Sequence, residues 1–317
     1  MPVNSTLMPE EVLRARERIR SMIQTTPVMT SDILDDLTGA SLFFKCEHLQ
    51  TTGSFKLRGA SNAVALLPDD CPGVATHSSG NHGAALARAA AGRGFRAEIV
   101  VPEGAVASKV DNIRRHGGSV HFCEPTQAGR EAALASLVER GFAPVPPYDD
   151  DRIIAGQGSA ALELMEQVDA LDAIVVPIGG GGLISGTALA ARTGRRPPLV
   201  FGVEPAGADD TLRSLALGQR VADHHPDTIA DGLRALVGER NLALIERHVE
   251  SVGAVSEAGI LEAVEKLWSH LKQTAEPSGA VALAGVLAEP DRFAGKRVGV
   301  MISGGNLDVA ACLAGLS

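Results

Sequence analysis

The stretch Ala173-Ile174-Val175-Val176-Pro177-Ile178-Gly179-Gly180-Gly181-Gly182-Leu183-Ile184-Ser185-Gly186-Thr187-Ala188 passes from a strand pattern to a helix pattern through consecutive glycines. Its first part is a short apolar run, as expected of a buried strand. Successive glycines cost much backbone entropy, so a plain flexible turn explains them poorly. At a helix N-terminus they serve a purpose. The unpaired N–H groups and partial positive charge there attract an anion, and the missing side chains let a phosphate come close. The run is neither a Walker lysine loop nor a G-x-G-x-x-G turn with an acidic partner. Nucleotide hydrolysis and dinucleotide binding are therefore disfavoured.

The same alternation extends along the chain. Strand patterns occur at Ser41-Leu42-Phe43-Phe44-Lys45, Gly73-Val74-Ala75-Thr76-His77, Ala97-Glu98-Ile99-Val100-Val101 and Ser119-Val120-His121-Phe122. Others follow at Leu199-Val200-Phe201-Gly202-Val203 and Arg297-Val298-Gly299-Val300-Met301. Alanine-rich segments such as 83–91 and 129–140 carry helical spacing between them. Strands separated by helices predict an α/β fold of parallel, twisted sheets flanked by helices. The tight spacing over 71–148, closed by Pro144, Pro146 and Pro147, predicts a small α/β domain inserted into a larger one. The larger domain is expected to use 1–70 and 149–317.

With 317 residues the chain can bury a substantial core. Lysine and arginine total 29 against 38 acidic residues, a formal charge of −9, which disfavours nucleic acid and acidic membranes as partners. No stretch has the length of apolar residues that a membrane span needs. The N-terminus lacks the apolar core of a secretory signal. Cys46, Cys71, Cys123 and Cys312 show no metal or redox spacing, so reduced thiols in a cytoplasmic protein are expected.

Three further segments carry chemistry. Thr52-Gly53-Ser54-Phe55-Lys56-Leu57-Arg58-Gly59-Ala60 places a lysine where a turn enters a helical pattern. Ser78-Ser79-Gly80-Asn81-His82-Gly83 follows the strand 73–77, where open α/β sheets bind ligands. An ordinary N-cap by Ser79 or Asn81 accounts for that segment taken alone. Ser303-Gly304-Gly305-Asn306 closes the strand at 297–302. Its serine can hydrogen-bond a heterocyclic nitrogen without carrying charge. An amine, a phosphate cradle and two polar orienting groups together suit pyridoxal 5'-phosphate held as a Schiff base on Lys56.

These strings, together with Ile154-Ala155-Gly156-Gln157-Gly158, occur in the order found in the serine/threonine dehydratase and serine racemase family of fold-type II PLP enzymes. Residues from about 26 to 308 resemble that family, whose fold is tryptophan synthase β-like. The resemblance implies that Lys56 carries the cofactor and then removes the α-proton, which requires a depressed lysine pKa. It implies that Asn81 bonds the cofactor 3'-oxygen, that Gly179, Gly180, Gly181 and Gly182 hold the phosphate and that Ser303 faces the ring nitrogen. Phe55 and Gly232 would flank the ring. Ser78, Ser79, Asn81 and His82 would receive the substrate carboxylate, and Ser79 would be a second acid/base on the face opposite Lys56.

The resemblance also implies a structural divalent cation, Mg²⁺ or else Mn²⁺ or Ca²⁺, on Glu204, the Ala208 carbonyl and Asp210. Solvated acidic loop residues are the plainer reading of that stretch. Pro146-Pro147-Tyr148-Asp149-Asp150 resembles the dehydratase branch, whereas Ser79 resembles the racemase branch. Water elimination from L-threonine or L-serine, giving a 2-oxo acid and ammonia, is the expectation. Serine racemisation and elimination from 3-hydroxyaspartate or a hydroxyectoine-derived amino acid are the alternatives. A β-replacement synthase and a non-catalytic PLP binder rank below these. His77, His82, His224 and His225 are expected to be unremarkable, with His224 and His225 solvent-exposed, and Arg192, Arg195 and Arg196 to be a solvated helix end. A homodimer is expected.

Overall fold

The computed structural model describes residues 7–78 and 80–307, so Ser79 and Cys312 lie outside the described residues. Its strands are β1 Val28–Met29, β2 Ser41–Cys46, β3 Gly73–His77, β4 Arg96–Pro102, β5 Ser119–Cys123, β6 Ala143–Pro144, β7 Ala173–Pro177, β8 Leu199–Pro205, β9 Ser251–Val255 and β10 Arg297–Ile302. The helices begin with α1 Pro9–Ile19, α2 Asp32–Thr38, α3 Lys56–Ala65, α4 Asn81–Gly92, α5 Ala107–Arg115, α6 Gln127–Glu139 and α7 Asp151–Gln167. They continue with α8 Gly182–Ala191, α9 Asp210–Leu217, α10 Glu239–His248, α11 Glu257–Leu271, α12 Pro277–Ala288 and α13 Pro290–Phe293.

Two sheets form. One has six strands in the order β1-β2-β10-β7-β8-β9, the other four in the order β5-β4-β3-β6. Every pairing is parallel except that of β1 with β2. The fold is thus the α/β arrangement of parallel sheets flanked by helices. Strand β7 shows why it is covered on both faces. Val175 joins a buried cluster with residues of α11 and α12, while Ile174 and Val176 join another with residues of α7 and α8. Successive side chains on a strand point to opposite faces, so a run that is apolar throughout needs a layer on each side.

In the smaller sheet Val74, Ile99 and Val101 pack with Leu57, Ala60 and Val64 of α3 and with the alanines of α4. Helix α3 therefore leans on the smaller sheet while its first residue, Lys56, reaches the groove between the sheets. Close packing of α3, α7 and α8 relies on small residues. A Cβ at Gly186 would sit 2.4 Å from the Ile154 carbonyl oxygen, and one at Gly156 2.7 Å from that of Arg58. The string 154–158 is thus a helix-packing surface. Cys46, Cys71 and Cys123 are unpaired.

Candidate active site

The strands β3, β7 and β10 end at one groove, as expected of ligand sites at the carboxyl ends of parallel strands. The cavity there measures about 850 Å³ and is lined by Phe55, Lys56, Ser78, Asn81, His82, Gly179 to Gly182, Gly232 and Ser303. Every described residue that the sequence assigns to the cofactor or substrate therefore meets in a single space.

The turn before Lys56 is held from the far end of the chain. Gly53 has φ of +76°, a left-handed conformation, and a Cβ there would lie 2.2 Å from Asn306 Oδ1. Phe55 N–H donates to the Ser303 carbonyl at 3.1 Å. Lys56 Nζ donates to the Pro147 carbonyl at 2.9 Å and sits 5.1 Å from the centre of the Phe55 ring. Burial pulls the Lys56 amine down to about 8, because a charged form in low dielectric is disfavoured.

Helix α4 begins at Asn81 with Gly80 as its N-cap residue and no side-chain cap bond. The plainer alternative, an N-cap by Asn81, does not hold. Its amide instead donates to Glu276 Oε1 at 2.7 Å and accepts from Asn306 Nδ2 at 2.7 Å. His82 Nε2 lies 3.0 Å from the Val145 carbonyl. A carbonyl only accepts, so Nε2 carries the proton and Nδ1 is left an acceptor, buried without a hydrogen-bond partner among the described residues. Burial, aided by the nearby Lys56, pushes His82 down to about 3, so the ring is neutral.

The glycine loop leaves its backbone N–H groups unspent. Gly179, Gly180 and Gly181 donate to no other backbone group among the described residues. Gly181, at φ +88°, is the N-cap residue of α8. A second constraint acts as well: a Cβ on Gly180 would lie 2.3 Å from the Tyr148 ring. Sequence reasoning missed this tyrosine contact. Ser303 Oγ donates to the Ser278 carbonyl at 3.3 Å, and Ser278 Oγ accepts from Gly232 N–H at 2.9 Å. Glu276 and Asn306 are further missed residues. Asn306 lay in a quoted motif, but nothing in the sequence signals the contact of Glu276 with Asn81.

Two aspartates beside Tyr148 spend their carboxylates on backbone N–H groups, although Asp149 lines the cavity. Asp150 caps α7 through Arg152 N–H, and Asp149 accepts from the N–H groups of Glu239 and Arg240 at the start of α10. The cations lining the cavity include Lys109, Arg130, Arg220 and Arg234. Lys109 pairs with Asp231, and Arg220 and Arg234 donate to backbone carbonyls. Arg130 differs, because its Nε is buried with no hydrogen-bond partner among the described residues. His77 lies beside it and is held below the usual histidine value by burial and then by Arg130.

Glu204 and Asp210 are both fully buried, and Ala208 nearly so. Glu204 accepts from Thr211 and Leu212 N–H, and Asp210 Oδ2 accepts from Val237 N–H. Burial pushes Glu204 up to about 8, and burial also raises Asp210. His224 is not solvent-exposed as expected, since its Nδ1 lies 3.4 Å from Asp210 Oδ1 and its side chain is 8% exposed. The polar loop that suggested exposure folds back over Asp210. His225 is exposed, as are Arg192, Arg195 and Arg196. Among the described residues no group of three or more His, Cys, Asp or Glu side chains is arranged to hold a metal ion.

Residues 19–304 match the family described as "Pyridoxal-phosphate dependent enzyme". The chain belongs to this pyridoxal-phosphate dependent enzyme family. It is 48% identical over 303 residues to the beta-hydroxyaspartate dehydratase of Paracoccus denitrificans, covering 95% of this chain and 96% of that one. It is 46% identical over 308 residues to a serine racemase of Arabidopsis thaliana, covering 95% and 93% of the two chains. The crystal structure of serine racemase from Dictyostelium discoideum superposes with a TM-score of 0.91 at 43% identity, covering 96% of this chain and 100% of that one. The protein is therefore a fold-type II PLP enzyme of the lyase and racemase kind. No described helix is long and apolar enough to cross a membrane.

Proposed function

We propose that the protein is a lyase that eliminates water from a β-hydroxy amino acid bearing a second carboxylate, with 3-hydroxyaspartate its foremost substrate. The products are a 2-oxo acid and ammonia. The observation that carries this reading is Arg130, a cavity cation whose Nε has no hydrogen-bond partner among the described residues. A buried donor left unsatisfied is costly. A carboxylate on the substrate Cβ would relieve that cost, and the methyl of threonine or the hydrogen of serine at the same position would not. The similarity to a dehydratase named for beta-hydroxyaspartate points the same way. Threonine and serine, expected first from sequence, move to second place.

Pyridoxal 5'-phosphate supplies, when bound, an electron-accepting ring that acidifies the substrate Cα–H. The residues present fit it. Lys56 would hold it, the free N–H groups of Gly179 to Gly181 with Gly182 would receive its phosphate, Asn81 its ring oxygen and Ser303 its ring nitrogen. Phe55 and Gly232 would flank the ring. Lys56, lowered to about 8, is a neutral base at mildly alkaline pH. It takes the proton from Cα and, as the Cβ–O bond breaks, returns it to the departing hydroxyl, which leaves as water. The released enamine tautomerises and hydrolyses to the 2-oxo acid and ammonia. Ser78 and the helix start at Asn81 would receive the α-carboxylate, while His82, whose one N–H is spent on the Val145 carbonyl, would hold that turn in place rather than bind the substrate.

The test is 2-oxo acid release by the PLP-loaded protein from the 3-hydroxyaspartate isomers, L-threonine and L-serine, with Lys56→Ala as control. Faster turnover of a 3-hydroxyaspartate isomer, lost in the control, is expected. Turnover of threonine alone would overturn the second-carboxylate reading. Racemisation is the second reading, favoured by the Arabidopsis relative. Its acid/base would be Ser79, and chiral chromatography of serine incubated with the enzyme measures it.

We also propose a divalent cation at Glu204, the Ala208 carbonyl and Asp210. What supports it is a pair of fully buried carboxylates of which Asp210 Oδ1 makes no hydrogen bond among the described residues and faces His224 Nδ1 at 3.4 Å. Millimolar Mg²⁺ should then raise the melting temperature and a chelator lower it. Glu204→Gln should respond to neither. An equal response of the variant would sink the assignment.

A further inference from the structure

Glu276 is 4% exposed and lines the cavity, yet the reaction gives it no part. It stands at the N-cap of α12, before Pro277, where a carboxylate ordinarily accepts from the first free N–H groups of the helix. Its side chain makes no such cap bond. Oε1 accepts instead from Asn81 Nδ2 at 2.7 Å.

The other end of the Asn81 amide is also occupied. Asn306 Nδ2 donates to Asn81 Oδ1 at 2.7 Å and to the Thr52 carbonyl at 2.8 Å. An amide flip would turn Asn81 Oδ1 against a carboxyl oxygen and Asn81 Nδ2 against a second amide nitrogen. Two hydrogen bonds would become two repulsive contacts. Asn81 Nδ2 has two N–H groups, and only one is spent on Glu276.

The chain also keeps room for this contact. A Cβ at Gly304 would lie 2.2 Å from Glu276 Oε1 and 3.2 Å from Asn81 Nδ2. Glu276 N–H in turn donates to the Gly304 carbonyl at 3.2 Å. Lys109 of α5, which also lines the cavity, is the cation that acts on Glu276. Burial lifts the carboxyl to about 7, with Asn81 and Lys109 pulling against that rise. The acid and its anion both keep an oxygen able to accept from Asn81.

We infer that Glu276 is a positioning residue, which with Asn306 fixes the Asn81 amide so that its remaining N–H is presented to the cofactor. The inference rests on the reading of Asn81 as a cofactor contact. Because Asn306 also holds the turn before Lys56, the same device sets the amide and the lysine in one frame.

The test uses the purified protein with PLP, reading the visible absorbance of the bound cofactor and its dissociation constant by titration. Far-UV circular dichroism and the melting temperature report on the fold. Glu276→Ala should shift the absorbance band and weaken retention about tenfold, the loss of one hydrogen bond to a charged partner. Glu276→Gln keeps an acceptor oxygen and should restore both readouts toward the parent protein. Asn81→Ala combined with Glu276→Ala should be no worse than Asn81→Ala alone, since the two act through one contact. A response of Asn81→Ala with none from Glu276→Ala would overturn the positioning role alone, as would losses that multiply in the double variant. No response from Asn81→Ala itself, while Lys56→Ala removes the band, would sink the Asn81 assignment beneath it.

Discussion

Lys56 Nζ and the carbonyl oxygen of Pro147 are joined by a 2.9 Å hydrogen bond that bridges α3 and the segment following β6. The carbonyl satisfies the amine without adding negative charge. Burial then dominates and lowers the lysine to about 8 from its ordinary 10.5. Only the neutral amine attacks the cofactor aldehyde. The rate of PLP capture by the apoprotein should therefore rise with pH and level off above about 8. Stopped-flow absorbance measures this, and a midpoint near 10.5 would show an ordinary, solvated lysine.

Two residues further along α3, Arg58 is the hub of a buried ion cluster. It donates to both carboxylate oxygens of Glu47 and of Glu163, while Lys45 donates to Glu163. Arg58, Lys45 and Glu47 are fully buried. Replacing Arg58 by methionine would leave two buried carboxylates with one cation. The expected cost is about 3–5 kcal/mol, read as a lower melting temperature or urea midpoint. Burial alone would raise Glu163, but Arg58 and Lys45 outweigh it and hold the group below 4.5. Its stabilisation is thus complete above 4.5 and lost as pH falls through the lower folded value. The variant should unfold in acid at a higher pH than the parent.

Gly180 faces two demands, the free N–H of the cradle and the Tyr148 ring against its Cα. Gly180→Ala should destabilise the fold by roughly 1–3 kcal/mol through overpacking and release bound PLP. Adding Tyr148→Ala removes the clash and should restore the melting temperature. Cofactor retention should stay impaired, because the new methyl still keeps a phosphate from the backbone. Full recovery of retention would mean that the glycine serves the tyrosine alone.

The legibility of this chain in its sequence follows burial. The seven expected strands are all present, and 73–77 and 173–177 keep their bounds. They are mostly central strands, whose continuous apolar runs mark them. The strands that escaped notice, β1, β6 and β9, are all at sheet edges. Two of them are two residues long and one of those contains Pro144, while β9 is only partly buried. Short edge strands carry little pattern to read. At the site, glycines and the lysine were legible because their residue types are unusual in those positions. Glu276, Asn306 and Tyr148 act through contacts set by tertiary packing, and His224 reaches Asp210 only because its loop folds back.

In the proposed reading Arg130 selects the substrate. It lies on α6, whose residues pack against the smaller sheet, and it reaches the cavity beside His77. Arg130→Met keeps much of the side-chain length and removes the charge. The value of kcat/KM for 3-hydroxyaspartate should fall roughly ten- to hundredfold, the worth of a charged hydrogen bond, while that for L-serine stays nearly constant. An equal fall on both substrates would mark Arg130 as a structural residue. No fall on either would place the second carboxylate elsewhere. The variant has a companion signature at His77. Burial and then Arg130 lower that histidine now, so loss of the arginine should raise its pKa toward 6.5. A protonated His77 then supplies part of the missing charge. Activity of Arg130→Met on 3-hydroxyaspartate, relative to the parent, should accordingly recover as pH is lowered from 8 toward 6, and a flat ratio would separate His77 from the carboxylate.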